Sequence, residues 1–208
     1  MKLFFPPSRK QLFAWGLNRI DPILNRAYGS RKKNLLEGLS GDVLEIGPGS
    51  GTNFRFYAEG ARITAMEPNR HLHPFLKKAA ARYHLELELH GAPAERLPLP
   101  DNSIDAAVST LVLCSVVRPG DVLSEIRRVL KPAGRFLFLE HVAAPENSRL
   151  LSAQHAVRPV WGWLFDGCRP NRKTPTLLED AGFSRMRITH FRLSVPIVSP
   201  HIIGTAVK

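Results

Sequence analysis

The residues with the clearest capacity to bind a ligand form a glycine-rich loop, EIGPGSG at positions 45–51, directly after a short apolar run. Glycines permit a tight turn and let a ligand approach the backbone closely. A dinucleotide-binding loop would carry its third glycine or alanine at position 52, but this chain has Thr52 there and places Gly51 one residue early. Glu45, two residues ahead of the first glycine, disfavours a pyrophosphate and suits a positive charge. The loop therefore predicts a cationic ligand rather than a dinucleotide.

A second carboxylate, Glu67, ends the next apolar run, 20 residues after Gly47. A carboxylate at that place in a nucleotide-binding sheet accepts hydrogen bonds from both ribose hydroxyls. Together the two glutamates imply a ligand with an unphosphorylated ribose and a positive centre. S-adenosylmethionine, with its sulfonium and its amino acid group, has both features. The alternative is a structural turn followed by a solvent-facing glutamate.

Alternating strand and helix patterns would position this loop. Apolar runs predict strands at 42–46, 62–66, 85–90, 104–110, 135–141, 185–192 and 202–207, and amphipathic patterns predict helices at 71–83, 120–130, 148–165 and 174–181. We expect the glycine loop to open a helix as well. Residues 8–39 also read as helical, with breaks expected at Asp21-Pro22 and at Gly29-Ser30, where Ser30 would cap the continuation. Repeated strand–helix units favour an α/β fold that binds ligands beyond the carboxyl ends of its strands.

The composition fits one globular domain, with 208 residues of which 44% are hydrophobic. No uninterrupted apolar run reaches the length of a membrane-spanning helix. The two cysteines, Cys114 and Cys168, are too few for a disulfide scaffold and suit a reducing compartment. Residues 1–7 lack the apolar core and the cleavage site of a secretory signal. We therefore expect a cytoplasmic protein.

Positive charge is concentrated at the start of the chain. The net charge is +11 at pH 7, and residues 1–40, with eight basic and two acidic side chains, contribute +6 of it. Such a segment attracts the phosphates of nucleic acid or of anionic lipid. Its apolar stripe favours a lid over an apolar pocket first, peripheral contact with an anionic membrane second and a solvated face third. Aromatic and basic residues do not interleave as in base-stacking surfaces, so we expect no nucleic-acid partner.

Residues 43–142 resemble the class I S-adenosylmethionine-dependent methyltransferases. The resemblance lies in EIGPGSG at 45–51, AMEPN at 65–69, AERLPLPDNSID at 94–105 and IRRVLKPAG at 126–134. Other stretches are similar to a methyltransferase-like branch that methylates alkyl thiols: GTNFRFY at 51–57, EPN at 67–69, TLVLCSV at 110–116, EHV at 140–142, FDGC at 165–168 and PHIIG at 200–204.

The resemblance implies a Rossmann-like α/β fold: a seven-stranded, mostly parallel sheet with an antiparallel C-terminal hairpin and helices on both faces. Residues 1–208 would form one methyltransferase domain, with a helical lid at 1–40 and a catalytic core at 41–208. Many members carry an adenine-binding aspartate where this chain has Pro93, so adenine recognition would depend on the backbone of Ala94 and Glu95. The resemblance assigns S-adenosylmethionine, which leaves as S-adenosylhomocysteine, to these residues: Glu45, Gly47, Pro48, Gly49, Ser50, Asn53, Glu67, Pro68, Ala94, Glu95, Thr110 and Leu111.

The acceptor implied by the resemblance is a small apolar molecule, a thiol first, methylated by in-line displacement. A quinone carbon, a phenol oxygen or a lipid amine are the alternatives, and RNA is a more distant one. His141 is the candidate to orient or deprotonate the acceptor, unless its ring only ties the fifth strand to a neighbour. Asp166 could hold the ring of His141 or of His155, or simply end a helix. We expect the acceptor to contact Tyr28, Cys114, Trp161, Phe165 and His201. The histidines show no metal-ligand spacing such as HExxH, so the sequence predicts no metal.

Overall fold

The computed structural model describes residues 7–208, so the expectation about a signal at 1–7 lies almost wholly outside the described residues. Seven strands form one sheet in the order β3-β2-β1-β4-β5-β7-β6. Strands β1 to β5 are parallel, and β7 pairs antiparallel with both β5 and β6. This confirms the predicted fold class. The strands are β1 (Asp42–Ile46), β2 (Arg62–Met66), β3 (Glu86–His90), β4 (Ile104–Thr110), β5 (Leu130–His141), β6 (Arg185–Arg192) and β7 (Pro200–Val207).

Helices cover both faces of the sheet because successive strand residues point to opposite sides. On one face Val43 packs with Phe54 and Leu76, and on the other Leu44 packs with Val122 and other residues of a second cluster. The buried residues of both clusters account for the mostly apolar character of the central strands. The helices are α1 (Arg9–Leu36), α2 (His73–Arg82), α3 (Pro119–Val129), α4 (Arg149–Leu164) and α5 (Thr174–Glu179).

Helix α1 runs without interruption over 28 residues, so both breaks expected in it are wrong. Its N-cap is Ser8, whose hydroxyl accepts a hydrogen bond from the Gln11 amide at 3.2 Å. Pro22 removes the N–H that would bond to the carbonyl of Asn18, but both residues are exposed, so water can replace that bond. The packing of the rest of the helix against the core outweighs the local preference, and Gly29-Ser30 simply continue it.

Two other local expectations are also wrong. The glycine loop leads into a single 3₁₀ turn, Phe54–Phe56, and not into an α-helix. Strand β5 begins at Leu130, five residues before its predicted start, and residues 132–134 form a strand irregularity with Ala133 at φ +62°. The register against β4 shifts beside it, between Ile104 and Ala106.

The strand order reverses between β1 and β4, because β2 and β3 lie on one side of β1 and β4 and β5 on the other. At such a point the loops that leave neighbouring strands diverge and open a crevice at the carboxyl edge. The glycine loop after β1 and the segment after β4 border this crevice, as the sequence predicted.

Candidate active site

A cavity of about 410 Å³ occupies the crevice. The loops after β1, β2 and β4 form its floor and sides, and helix α1 lies across it. Most of the α1 side chains that reach it are apolar, which makes this helix a cover over the cavity. They are Lys10, Phe13, Leu17, Leu24 and Lys32.

The glycine loop turns sharply at the cavity wall. Gly47 and Gly49 have φ angles of +55° and +62°, in the left-handed region that favours glycine. A Cβ on Gly47 would lie 2.7 Å from Cγ2 of Val112, so that position has no room for a side chain. On Gly49 a Cβ would lie 3.1 Å from Leu17 of α1. The absence of side chains thus brings the loop backbone against both the β4 segment and the covering helix.

Glu67 holds the glycine loop in place. Its Oε2 accepts a hydrogen bond from the Gly49 amide at 3.1 Å, and its Oε1 accepts one from the Asn69 amide at 2.9 Å. Burial raises the pKa of this carboxyl above its usual value, and the two amide donors oppose that rise. Each oxygen has a further lone pair, and the side chain borders the cavity. It is therefore available to accept hydrogen bonds from a ligand.

Glu45 lies behind the loop and not in the cavity lining. It is completely buried and accepts hydrogen bonds from Asn53 Nδ2 at 2.7 Å and from the Tyr57 hydroxyl at 2.5 Å. The amide of Asn53 also donates to Thr110 Oγ1 at 3.0 Å. Burial raises the pKa of Glu45 to about 7, although these donors and the charge of Lys32 lower it. This carboxyl links the end of β1, the 3₁₀ turn and the end of β4.

The segment that follows β4 begins with a strained residue and is stabilised by hydrogen bonds to a buried acid. Leu111 has φ +60°, a conformation that costs energy for a residue with a side chain, and its amide donates to the Leu139 carbonyl at 2.8 Å. The carboxyl of Glu140 accepts hydrogen bonds from Ser109 Oγ at 2.6 Å and from the Val112 amide at 3.2 Å. These contacts direct residues 110–117 along the cavity.

The structure brings most of the predicted site residues to this cavity. Glu95, however, uses its carboxylate to accept hydrogen bonds from the amides of Val117 and Arg118. Asp166 forms an ion pair with Arg9 at 3.3 Å. Within residues 7–208, its carboxylate has no hydrogen bond to His141 or His155. The predicted residues in the lining are Gly47, Pro48, Gly49, Ser50, Glu67, Pro68, Ala94, Glu95, Thr110, Leu111, Phe165 and Asp166.

Seven predicted residues do not line the cavity: Glu45, Asn53, Tyr28, Cys114, His141, Trp161 and His201. Conversely, the lining contains residues that were not predicted, among them Val112, Ser115 and Val116 after β4 and the lining positions of α1. A signal for α1 was present, because Phe13, Leu17 and Leu24 recur at helical spacing. The residues after β4 gave no such signal, since an irregular segment has no period.

Behind the wall of the cavity lies a buried polar cluster. The Tyr28 hydroxyl is 2.9 Å from His201 Nε2, and His201 Nδ1 is 3.0 Å from the Ser199 carbonyl. Burial lowers the pKa of His201 to about 4, so the ring is neutral near pH 7. Because a carbonyl can only accept, Nδ1 carries the proton and Nε2 accepts from Tyr28. Next to this pair, His141 Nε2 lies 3.1 Å from Cys168 Sγ.

Comparison with known proteins identifies this arrangement. Residues 44–138 match the methyltransferase domain family. In fold, the chain is similar to a Thermotoga maritima S-adenosylmethionine-dependent methyltransferase described as a possible histamine N-methyltransferase, with a TM-score of 0.72, 21% identity and 96% and 98% of the two chains covered. The fold is thus that of an S-adenosylmethionine-dependent methyltransferase.

Two human proteins extend the similarity over nearly the whole chain. Thiol S-methyltransferase TMT1B is 42% identical, with 97% of this chain and 88% of that protein covered. Thiol S-methyltransferase TMT1A is 40% identical, with 96% and 87% covered. The chain belongs to their family of methyltransferases, as the sequence predicted.

The burial of Glu45 generates a prediction about stability. Its folded pKa of about 7 exceeds the ordinary 4.5, so between these pH values the folded chain holds a proton that the unfolded chain releases. The stability that comes from the protonated form is therefore complete below pH 4.5 and lost as the pH rises through 7.

Glu45→Gln, which cannot ionise, should gain stability relative to the parent over this range by about 3 kcal/mol. Urea unfolding of both proteins at pH 5 and pH 8 measures the gain, with exposed Glu59→Gln as the control. A difference that does not change with pH would contradict the assignment.

Proposed function

We propose that this chain transfers the methyl group of S-adenosylmethionine to the sulfur of a small apolar thiol. The observation that carries the proposal is the cavity in which the side-chain-free wall of Gly47 and Gly49 meets the buried carboxylate of Glu67. The thiol as acceptor is supported by similarity to thiol S-methyltransferases across 97% of the chain. When bound, the cofactor supplies a methyl group activated by its positively charged sulfur.

The cavity has the groups that such a cofactor needs. Glu67 accepts the ribose hydroxyls, and the exposed backbone of Gly47 and Gly49 accommodates the amino acid group. Ser50 borders the cavity, and its buried hydroxyl has no hydrogen-bond partner within residues 7–208. Pro93 and Ala94 border the opposite end and pack against adenine. Glu45 acts from behind the loop, as a buried acid that favours a nearby positive charge.

The acceptor occupies the apolar part of the same cavity. Phe13 and Leu24 of α1 face Leu111, Val112 and Phe165 across it. This surface binds an apolar molecule and excludes water, so that the acceptor and the methyl group are aligned without competing hydrolysis. An alkyl thiol has a pKa near that of cysteine, about 8.5, so a modest shift gives useful thiolate at neutral pH. Asp166, at the rim, contacts the acceptor or orients the covering helix through Arg9.

The ribose assignment predicts a loss of cofactor affinity without loss of fold. Glu67→Gln should bind S-adenosylmethionine about 10- to 100-fold more weakly, because hydrogen bonds to a charged group contribute roughly 1.5–3 kcal/mol. Isothermal titration calorimetry measures the affinity, and a thermal melt checks that the variant is folded. Glu59→Gln, at an exposed position, is the matched control. An affinity equal to that of the parent would remove Glu67 from the ribose site.

The choice of acceptor is tested by a panel of small molecules. We expect the purified chain, supplied with S-adenosylmethionine, to convert short alkyl thiols into methyl thioethers and to form one S-adenosylhomocysteine for each. Mass spectrometry detects both products. The same assay includes a quinol, a phenol, a lipid amine and an RNA, the acceptors of the alternative functions. Methylation of one of these with none of any thiol would reject the thiol assignment.

We propose further that α1 makes peripheral contact with an anionic membrane surface. On the side away from the cavity, α1 exposes Leu12, Trp15, Ile20 and Ile23, with Arg19 among them, its guanidinium 5.3 Å from the centre of the Trp15 ring. Trp163 of α4 is 65% exposed, and its carbonyl accepts a hydrogen bond from Arg9. Among residues 7–208, none of the helices combines the length and apolarity that a membrane crossing requires. Aromatic and aliphatic side chains beside arginines are the composition of helices that lie on an anionic surface.

Vesicle binding checks this role. We expect the chain to sediment with vesicles that contain an anionic phospholipid, and to be released as salt is added, because salt screens the attraction. The double variant Trp15→Ser, Ile23→Ser should bind about tenfold more weakly or worse, since it loses two apolar side chains. Val195→Ser, exposed in the loop between β6 and β7, is the control. The absence of binding at low salt would leave α1 as a cover with a solvated outer face.

A further inference from the structure

Three side chains that bind soft metal ions meet behind the cavity wall. Cys114 comes from the segment after β4, His141 ends β5, and Cys168 lies in the turn after α4. One donor atom from each lies within 4.8 Å of the other two, and His141 Nε2 is 3.1 Å from Cys168 Sγ. All three residues are buried, with 1%, 5% and 7% of their surface exposed. They are spaced 27 residues apart in the chain, so no local motif could reveal them.

Contacts that do not involve sulfur hold the two cysteines together. The Arg169 amide donates to the Cys114 carbonyl at 3.0 Å, and Arg172 Nη2 donates to the same carbonyl at 3.3 Å. Arg172 Nη2 also donates to the Val116 carbonyl at 2.7 Å. Gly167, at φ +90°, allows the turn to come close to Ser115. The approach of the thiols is therefore set by the fold and does not depend on a bond between them.

We propose that Cys114, His141 and Cys168 bind a zinc ion. Two thiols and an imidazole are the ligand types that Zn²⁺ prefers, at about 2.3 Å for sulfur and about 2.0 Å for nitrogen. Ligand atoms around a tetrahedral ion at these bond lengths are separated by about 3–4 Å, which the cluster already meets within small movements. The cysteines lose their protons to solvent on binding, and the two thiolates then neutralise the dication, so the buried site carries no net charge. This departs from the metal-free expectation drawn from histidine spacing.

The fourth coordination position takes the sulfur of the acceptor, an assignment that rests on the proposed function. Three protein ligands with one open position are typical of catalytic zinc sites, whereas structural sites are closed by four. The three ligands lie behind the lining, but their chain neighbours Ser115, next to Cys114, and Asp166, two residues before Cys168, line the cavity, so this side of the zinc site is the one nearest the acceptor. The thiol binds as thiolate and its proton passes to solvent. A carbon–sulfur bond then forms to the methyl group, while the bond to the sulfonium breaks and leaves its electron pair on that sulfur.

Metal analysis of the full chain tests the site. We expect the protein, purified without chelator, to hold about one zinc ion per chain. Inductively coupled plasma mass spectrometry measures this content. Cys114→Ser, Cys168→Ser and His141→Asn should each lose most of it. His155→Asn is the control, because His155 is exposed and contacts Asn171 instead. The proposal is overturned if the parent holds no zinc and takes up none on titration, if all three variants keep it, or if the native protein contains a Cys114–Cys168 disulfide.

Cobalt substitution of the unaltered chain keeps the test valid should a variant fail to fold. With Co²⁺ in place of zinc, we expect a thiolate-to-metal charge-transfer band and the intense visible bands of a tetrahedral ion. An added alkyl thiol, without S-adenosylmethionine, should shift these bands as it enters the fourth position. The absence of charge transfer would overturn the metal site, and bands unchanged at saturating thiol would overturn the open position. Neither readout needs methyl transfer, so a failure of the proposed function would be seen separately in the acceptor panel.

Discussion

The site depends on the two hydrogen bonds that Glu67 accepts from the amides of Gly49 and Asn69. A loop with glycines at positions 47, 49 and 51 has many accessible conformations. Ordering it is costly, because glycine loses more conformational entropy on folding than any other residue type. A single carboxylate at the end of β2 selects one conformation by binding the loop in its middle. Because these bonds use only part of the acceptor capacity of the carboxylate, the same group remains available to a ligand. The side chain that fixes the loop is thus also the one that our proposal assigns to the ribose.

Helix α1 converts the open crevice of the sheet into a covered cavity. It is held at several points along its length: Asp21 pairs with Arg55 at 3.1 Å, and Lys32 Nζ donates to Thr52 Oγ1 at 3.0 Å. The carbonyl of Lys10 accepts from Asn69 Nδ2 at 3.0 Å. Each of these contacts goes to a loop that borders the cofactor side, so the position of the cover and the shape of that side are coupled. The helix that covers the cavity with one face exposes aromatic and aliphatic side chains on its other face.

Much of this arrangement follows from the sequence, and the exceptions have physical causes. Strands β1, β2, β4 and β6 have the predicted bounds because short apolar or alternating runs end at turn-forming residues. Helix α1 does not, because a proline costs one hydrogen bond while the tertiary contacts of 28 residues favour continuity. The sequence identified both glutamates but not their different orientations, since Glu45 is inside β1 and Glu67 lies just past β2. The cysteines and His141 were recognised singly, and only the three-dimensional fold brings them together.

Three buried glutamates perform the same task at the carboxyl ends of β1, β2 and β5. Glu45 binds Asn53 and Tyr57, Glu67 binds two loop amides, and Glu140 binds Ser109 and the Val112 amide. In each case burial of an acid is unfavourable, which is seen as a raised pKa, and donors from an irregular segment compensate for it. The three acids therefore order the segments that follow β1, β2 and β4, and these are the segments that surround the cavity.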